Sequence, residues 1–341
     1  MKAGKLSQTV WRRAVEKQLN KDIDGRLTIP AVTENCMAVP AEEGTVQLVV
    51  STAVSGTTEE LCIYALAKVM NDLAARGARI SGVSSQLWLP VEAEESDVKR
   101  IISSLQNICN QKGIHISGLQ AEVNPVVSQN FIQITAVGTV KEGEVPQIRN
   151  ITSGEEIILC GTIGLEGILR ILDEREEELG KRFVPAFIRQ IKGLKEQLFL
   201  EEAALAAKEF SIKNETFDTF AMQQIGSGGI FAALWEIAEA AGVGLEIDMS
   251  KIAVCQETVE ICEYYQLNPY QMTSTGGMLM VTRDGAGLMK VLEKVGARAV
   301  RLGVTTAENA RVITSGEEKR YMDRPAPDEW MRWHMQEFRK G

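Results

Sequence analysis

The chain has 341 residues, 45% of them hydrophobic and 24% charged, with 46 acidic against 37 basic side chains and a formal net charge of −9. That length exceeds one ordinary domain, and the composition is that of a globular protein with a sizeable core. The acidic balance argues against an electrostatic nucleic-acid binder, which needs a basic face, and no run approaches the ~18–20 uninterrupted apolar residues of a membrane span.

Residues 7–19 read as a charged amphipathic helix without the apolar core of a secretory signal. Residues 47–51 are short, apolar and β-branched, a strand. Across 59–75 the apolar positions Leu61, Ala65, Leu66, Val69 and Leu73 keep a helical period, and Gly77 stands where a C-terminal cap belongs. Residues 80–89 read as a strand. Residues 96–111 form a second helix on Val98, Ile101, Ile102, Leu105 and Ile108, closed by Gly113. Residues 114–117 and 131–140 are further strands, so strand and helix alternate as in an α+β or α/β domain.

Residues 141–149, with Gly143 and Pro146, read as a linker. A second block opens with a strand at 156–159, turns at Gly161–Gly164 and enters a long helical region. The charge run at 173–182 reads as a solvated helix face. Gly226-Ser227-Gly228-Gly229 precedes a helix at 230–241, followed by strands at 242–247, 278–282 and 299–304 and helices at 254–265 and 286–295. The tail is polar around Pro325 and Pro327, then carries Trp330, Trp333 and Phe338 at a spacing that suits one helix face packed on the body.

Two features carry chemistry. The Asn71-Asp72 step lies near the end of an otherwise apolar helix, where a carboxylate can hold Mg²⁺ or simply sit at the surface. The glycine loop at 226–229 offers backbone amides and a positive helix end to an anion, although it is neither a Walker A loop nor a dinucleotide fingerprint. The six cysteines show no metal-type spacing and read as reduced thiols of a cytosolic protein; Cys160 has nothing basic beside it and reads as a buried structural thiol. With only His115 and His334, there is little material for a histidine triad or zinc site.

In order, Gly4-Lys5-Leu6, Glu34-Asn35-Cys36-Met37, Val50-Ser51-Thr52, Asn71-Asp72-Leu73-Ala74-Ala75-Arg76-Gly77, Gly161-Thr162-Ile163-Gly164, Gly228-Gly229-Ile230 and Leu267-Asn268-Pro269 resemble the aminoimidazole ribonucleotide (AIR) synthetase superfamily. The similarity is greatest to its AIR synthase related and hydrogenase maturation (carbamoyl dehydratase) branch. The resemblance implies an α+β (α/β-like) fold of two domains. An N-terminal ATP-binding domain, 1–145, would form a β-barrel with its twin in a homodimer. A C-terminal α+β domain would span 150–315, with a tail at 316–341. It also implies ATP and Mg²⁺ in the cleft between the domains, at Asn35, Asn71, Asp72, Gly118, Gln120, Glu122, Gly228 and Gly229, with Asp72 and Glu34 toward the metal.

The departures from the family's pattern bear on activity. Asn35 and Ala53 stand where the family carries aspartates, Leu119 stands at an expected polar position, the arginine before the glycine pair is missing, and the terminal cysteine that accepts a carbamoyl group is absent. Losing several acids removes the charge that sets magnesium and triphosphate geometry. The expectation is a cytoplasmic homodimer with an eroded Mg-ATP site, non-catalytic or weakly active, with a protein partner and without nucleic acid or membrane. The alternative is an active ATP-dependent enzyme acting on a small phosphorylated or carbamoyl substrate, its metal site rearranged around Asp72, Glu34 and Glu122.

Overall fold

The computed structural model describes residues 36–40 and 43–338, organised around two sheets. The first runs β1 (Cys36–Pro40), β2 (Thr45–Gly56), β5 (Asn130–Lys141), β3 (Arg79–Leu89), β4 (Ile116–Val123), antiparallel except for the parallel β3–β4 pair. Along β2 the pleat sends Val46, Leu48, Val50 and Val54 inward, while Ser51 and Ala53 face out. The inward face is covered by α1 (Leu61–Ala75) and α2 (Glu95–Lys112). α2 starts on a capping box between Glu94 and Asp97 and ends at Gly113 in the left-handed region.

α1 is buried on almost every side, because it is apolar nearly all round and is pressed between the first sheet and the second half of the molecule. Leu61, Leu66 and Leu73 share one core with Leu165, Ile168 and Leu172 of α3 (Leu165–Arg182) and with Trp330 of the C-terminal helix.

The second sheet runs β12 (Glu318–Tyr321), β11 (Arg311–Ser315), β8 (Gly244–Asp248), β10 (Ala299–Thr306), β6 (Glu156–Gly161), β9 (Gly277–Thr282), β7 (Ala221–Gln224), with only β11–β8 parallel. Its central strands are covered on both faces, so they read as continuous apolar runs. Ile157 and Leu159 of β6 pack with Leu279 and with Leu234 and Ile237 of α6 (Gly229–Ala241). Ile158 and Cys160 pack the other way, with Met278, Met280, Ala204 of α5 (Glu201–Lys213) and Leu288 of α8 (Gly285–Lys294). Burial pushes the Cys160 thiol up to about 12, which suits a core thiol and not a nucleophile. α4 (Pro185–Gly193) and α7 (Gln256–Tyr265) pack on α3.

The mixed α+β architecture agrees with the expectation, with three local differences. β4 lies at 116–123, later and longer than the strand expected at 114–117, and forms an edge of the first sheet. β1, β7, β11 and β12 have no counterpart among the expected strands. The charge run at 173–182 is only partly solvated: Asp173 accepts from Tyr64 Oη at 2.6 Å and pairs with Lys195, while Glu176 and Glu177 are exposed. The tail forms α9 (Glu329–Phe338), docked through buried Trp330 and Trp333 as its aromatic spacing predicts. The expected helix at 7–19 lies outside the described residues.

Candidate functional site

α1 carries Lys68 and Asp72, and Arg76 as its C-cap, at four-residue intervals, hence on one face. That face opens on a cleft of about 370 Å³ between the two sheets. β2 contributes Ser51, Thr52 and Ala53; β7 contributes Gln223 and Gln224; the glycine loop contributes Gly226 and Ser227; and α6 contributes Glu236.

The polar groups of the cleft are tied to one another. Lys68 Nζ lies 2.8 Å from Glu166, which is fully buried, accepts from Thr273 and Thr275 hydroxyls and also pairs with Arg170. Burial alone would raise the Glu166 carboxyl, but Lys68 and Arg170, with hydrogen bonds from Lys68 and Thr275, hold it at about 2. Arg76 is nearly buried and donates to the Pro146 carbonyl at 2.9 Å. Asp72 Oδ1 accepts from Gln224 Nε2 at 2.8 Å, and Glu236 Oε2 accepts from Gln223 Nε2 at 2.9 Å. Both of these carboxylates, one on α1 and one on α6, are therefore met by glutamine amides.

Of the residues expected at the site, Asp72 lines this cleft, as does Ala53. Asn71 needs correcting. It is fully buried, both of its amide hydrogens are used on the Leu198 carbonyl and Gln224 Oε1, and its oxygen accepts from the Leu200 amide. It stitches α1 to the second half of the molecule and does not face the cleft.

Gly228 and Gly229 also take structural partners. The Gly228 amide donates to Asp328 Oδ2 at 2.7 Å, and Asp328 caps α9 through the Met331 amide. Burial raises the Asp328 carboxyl above its usual range, opposed by those two amides. Gly229 has φ of 69°, and a Cβ there would collide with the Tyr270 carbonyl. The pair is thus explained by a close backbone approach and an internal carboxylate.

Gly118, Gln120 and Glu122 lie on β4, three strand steps from β2, or about 14 Å at the usual spacing. Gly118 and Gln120 line a separate shallow concavity with Gln86 and Gln133, and Glu122 accepts from Asn124. They do not join Asp72 within one chain. Glu34 and Asn35 lie outside the described residues. Lys68, Arg76, Gln223 and Gln224 were not anticipated as site residues. A lysine and an arginine at helical intervals around Asp72 were the one available signal.

Known proteins share this architecture. The family model described as AIR synthase related protein, N-terminal domain, matches residues 33–140, and that for the C-terminal domain matches residues 152–315. A protein of Methanocaldococcus jannaschii assigned to hydrogenase expression and formation is 27% identical over 253 residues, 73% of this chain and 71% of that protein. A chain of the HypE–HypF complex superposes with a TM-score of 0.72 at 16% identity, covering 93% of this chain and 99% of that one. AaThiL complexed with AMPPCP and TMP gives a TM-score of 0.71 at 15% identity, covering 97% and 98%. At such identities the two structural likenesses speak for the fold alone.

Proposed function

The chain belongs to the AIR synthase related protein family, and from that premise we propose that it is a hydrogenase-maturation-like member with a weakened Mg-ATP site, working as a non-catalytic or weakly active homodimer. The observation that carries this reading is Asp72, whose carboxylate accepts from the Gln224 amide in a cleft that Ala53 also lines. Magnesium needs several hard oxygen ligands in near-octahedral array. The Ala53 methyl supplies none, and among the described residues no group of three or more His, Cys, Asp or Glu could hold a metal ion. On that donor chemistry the described residues do not fit Mg²⁺. Lys68, although paired with Glu166, and Arg76 instead bring cationic side chains to the cleft for a phosphorylated ligand.

The AMPPCP in AaThiL supports a nucleotide as that ligand. The homodimer reading is supported by the outer face of the first sheet. α1 and α2 cover only the inner face, while Ser51 and Ala53 of β2 and Gln120 of the edge strand β4 stand exposed. The HypE–HypF complex supports a further protein partner. We place the nucleotide and dimer functions in 1–145, the second wall of the cleft in 150–315 and a docking tail in 316–341. No helix among the described residues is long and apolar enough to cross a membrane, in keeping with a cytoplasmic protein.

Calorimetric titration with ATP and a non-hydrolysable analogue, in Mg²⁺ and in EDTA, tests this reading together with a turnover assay. The expected result is binding that changes less than about threefold on removing Mg²⁺, with turnover far below ~1 s⁻¹. Strictly Mg²⁺-dependent binding with turnover of ~1–10 s⁻¹ would overturn it in favour of the active ATP-dependent alternative.

A further inference from the structure

α9 is joined to the second sheet by a short irregular segment. Met322, just past β12, is buried, and its amide donates to the Arg311 carbonyl at 2.8 Å. Residues 323–327 carry no regular secondary structure, include Pro325 and Pro327, and are exposed apart from half-buried Ala326. Beyond them Asp328, Trp330 and Trp333 are buried again. The segment is a hinge between two anchored ends, and α9 is the element it carries.

The docked helix is not fully satisfied. The indole Nε1 atoms of Trp330 and Trp333 are buried and have no hydrogen-bond partner. Unpaired buried donors reduce what docking gains, so a modest electrostatic contribution decides how firmly the helix sits.

Two titratable groups supply such a contribution. His334 Nδ1 lies 3.0 Å from Glu174 Oε2 of α3, with the two side chains 14% and 8% exposed. The imidazole stacks on Trp330 at 4.8 Å, and Tyr265 of α7 packs against Trp333. Two cations of α3 oppose a positive charge there, Arg170 over the Trp330 ring at 3.4 Å and Arg175 over Trp333 at 5.9 Å. Glu174 touches the imidazole directly, however, and Arg170 is already engaged by Glu166. The seat therefore favours the protonated ring.

Asp328, at the start of α9, accepts from the Gly228 and Met331 amides, while Glu166 of α3 and Lys68 of α1 act on its charge with opposite signs. Burial is the largest influence and raises its carboxyl. A docked state with a raised carboxyl holds the proton more tightly than the released one. Its contribution to docking is thus present at acid pH and lost as pH rises through the docked value. A proton on His334 beside Glu174 acts with the same sign. Glu329 is buried too, but its cation Arg332 lies 2.7 Å away on α9 and travels with it.

We propose that α9 is a proton-tightened strap, seated firmly when His334 and Asp328 carry their protons and loosened about the hinge at 323–327 as they lose them. Loosening uncovers the Gly228 amide, two residues from the Gly226 that lines the cleft.

Amide hydrogen exchange of the full chain between pH 5 and 8, read by mass spectrometry and corrected for the intrinsic rate at each pH, measures how often α9 opens. A peptide from α1 reports global opening. The protection of α9 is expected to fall by at least about tenfold across this range, while that of α1 changes by less than about twofold. In His334→Gln most of the fall disappears. Asp328→Asn keeps an oxygen for both amides without the charge, so its α9 is better protected than the parent's at neutral pH. The double variant is flat.

Four outcomes overturn the strap: protection of α9 that ignores pH, a change only in step with α1, an undiminished slope in His334→Gln, or weaker protection in Asp328→Asn at neutral pH.

Discussion

Gln224 and Asp72 meet across the seam between the two sheets, with Gln224 Nε2 donating to Asp72 Oδ1 at 2.8 Å and Gln224 Oε1 accepting from Asn71 Nδ2 at 3.1 Å. One side-chain amide thus holds two successive residues of α1, one structural and one facing the cleft. The same nitrogen also reaches the Lys68 carbonyl at 3.1 Å. The position of Asp72 is set by the second half of the molecule as much as by its own helix.

Replacing Gln224 by leucine removes one partner of Asn71 Nδ2 and one of Asp72 Oδ1 together. Each hydrogen bond lost costs about 0.5–1.5 kcal/mol, so the urea midpoint of Gln224→Leu should fall clearly below that of the unaltered chain. An unchanged midpoint would show that the seam does not depend on this amide.

Restoring the missing acids tests the eroded site. The pair Asn35→Asp with Ala53→Asp should raise Mg²⁺-linked nucleotide affinity by at least about tenfold, since each adds an anionic oxygen ligand. Titration of ATP with and without Mg²⁺ measures it, and a double variant that remains indifferent to Mg²⁺ would count against the lineage of losses inferred for Asn35 and Ala53.

The Glu166 carboxyl sets an acid limit on stability. Burial opposes its charge, but Lys68 and Arg170 bring it from 4.5 down to about 2. A carboxyl lowered by folding lends stability above its unfolded value, near pH 4.5, and withdraws it as pH falls toward 2. The amount at stake is on the order of 3 kcal/mol. Melting curves of Glu166→Gln taken between pH 5 and 2 should be flatter than those of the parent, and destabilised at neutral pH because Lys68 and Arg170 lose their counter-ion. Parallel curves would refute the assignment.

Trp330 anchors α9 to α3, with Arg170 stacked over its ring at 3.4 Å from the centroid. Trp330→Ala should cost about 3–5 kcal/mol and lower the melting temperature by several degrees, with Trp330→Phe recovering part of the loss. A melting temperature within error of the parent would mean that the tail is only loosely docked.

Two glycines with the same φ of 69° separate backbone strain from steric clash. Gly242 has open space around its missing Cβ, whereas Gly229 meets the Tyr270 carbonyl. Gly242→Ala should cost about 1–2 kcal/mol and Gly229→Ala distinctly more, compared by denaturant midpoints. Equal costs would remove the close approach as the reason for the Gly229 glycine.

Much of this was legible in the sequence. Leu61, Leu66 and Leu73 announce α1 by their period, and the same period puts Lys68 and Asp72 on one face, which lines the cleft. What was not legible depends on distance along the chain. β7 is four residues long and holds two glutamines, so no apolar alternation marks it; it is a strand because β9 lies beside it. The sequence pattern of Gly226–Gly229 is that of an anion loop, but the pattern is silent on the carboxylate that takes the Gly228 amide. Asp328, three residues before Met331, does carry the mark of a helix N-cap, and only the folded chain shows what else it binds.

That last bond joins residues 100 positions apart. A ribosome adding about 5–20 residues per second leaves Gly228 without its carboxylate for roughly 5–20 s after the glycine loop is made. Throughout that interval the start of α6 is a bare amide and the aromatic bed of α9 lies open. The first turn of α6 thus acquires its internal carboxylate only once the tail has been made, so the closing of that turn and the docking of the tail are one event.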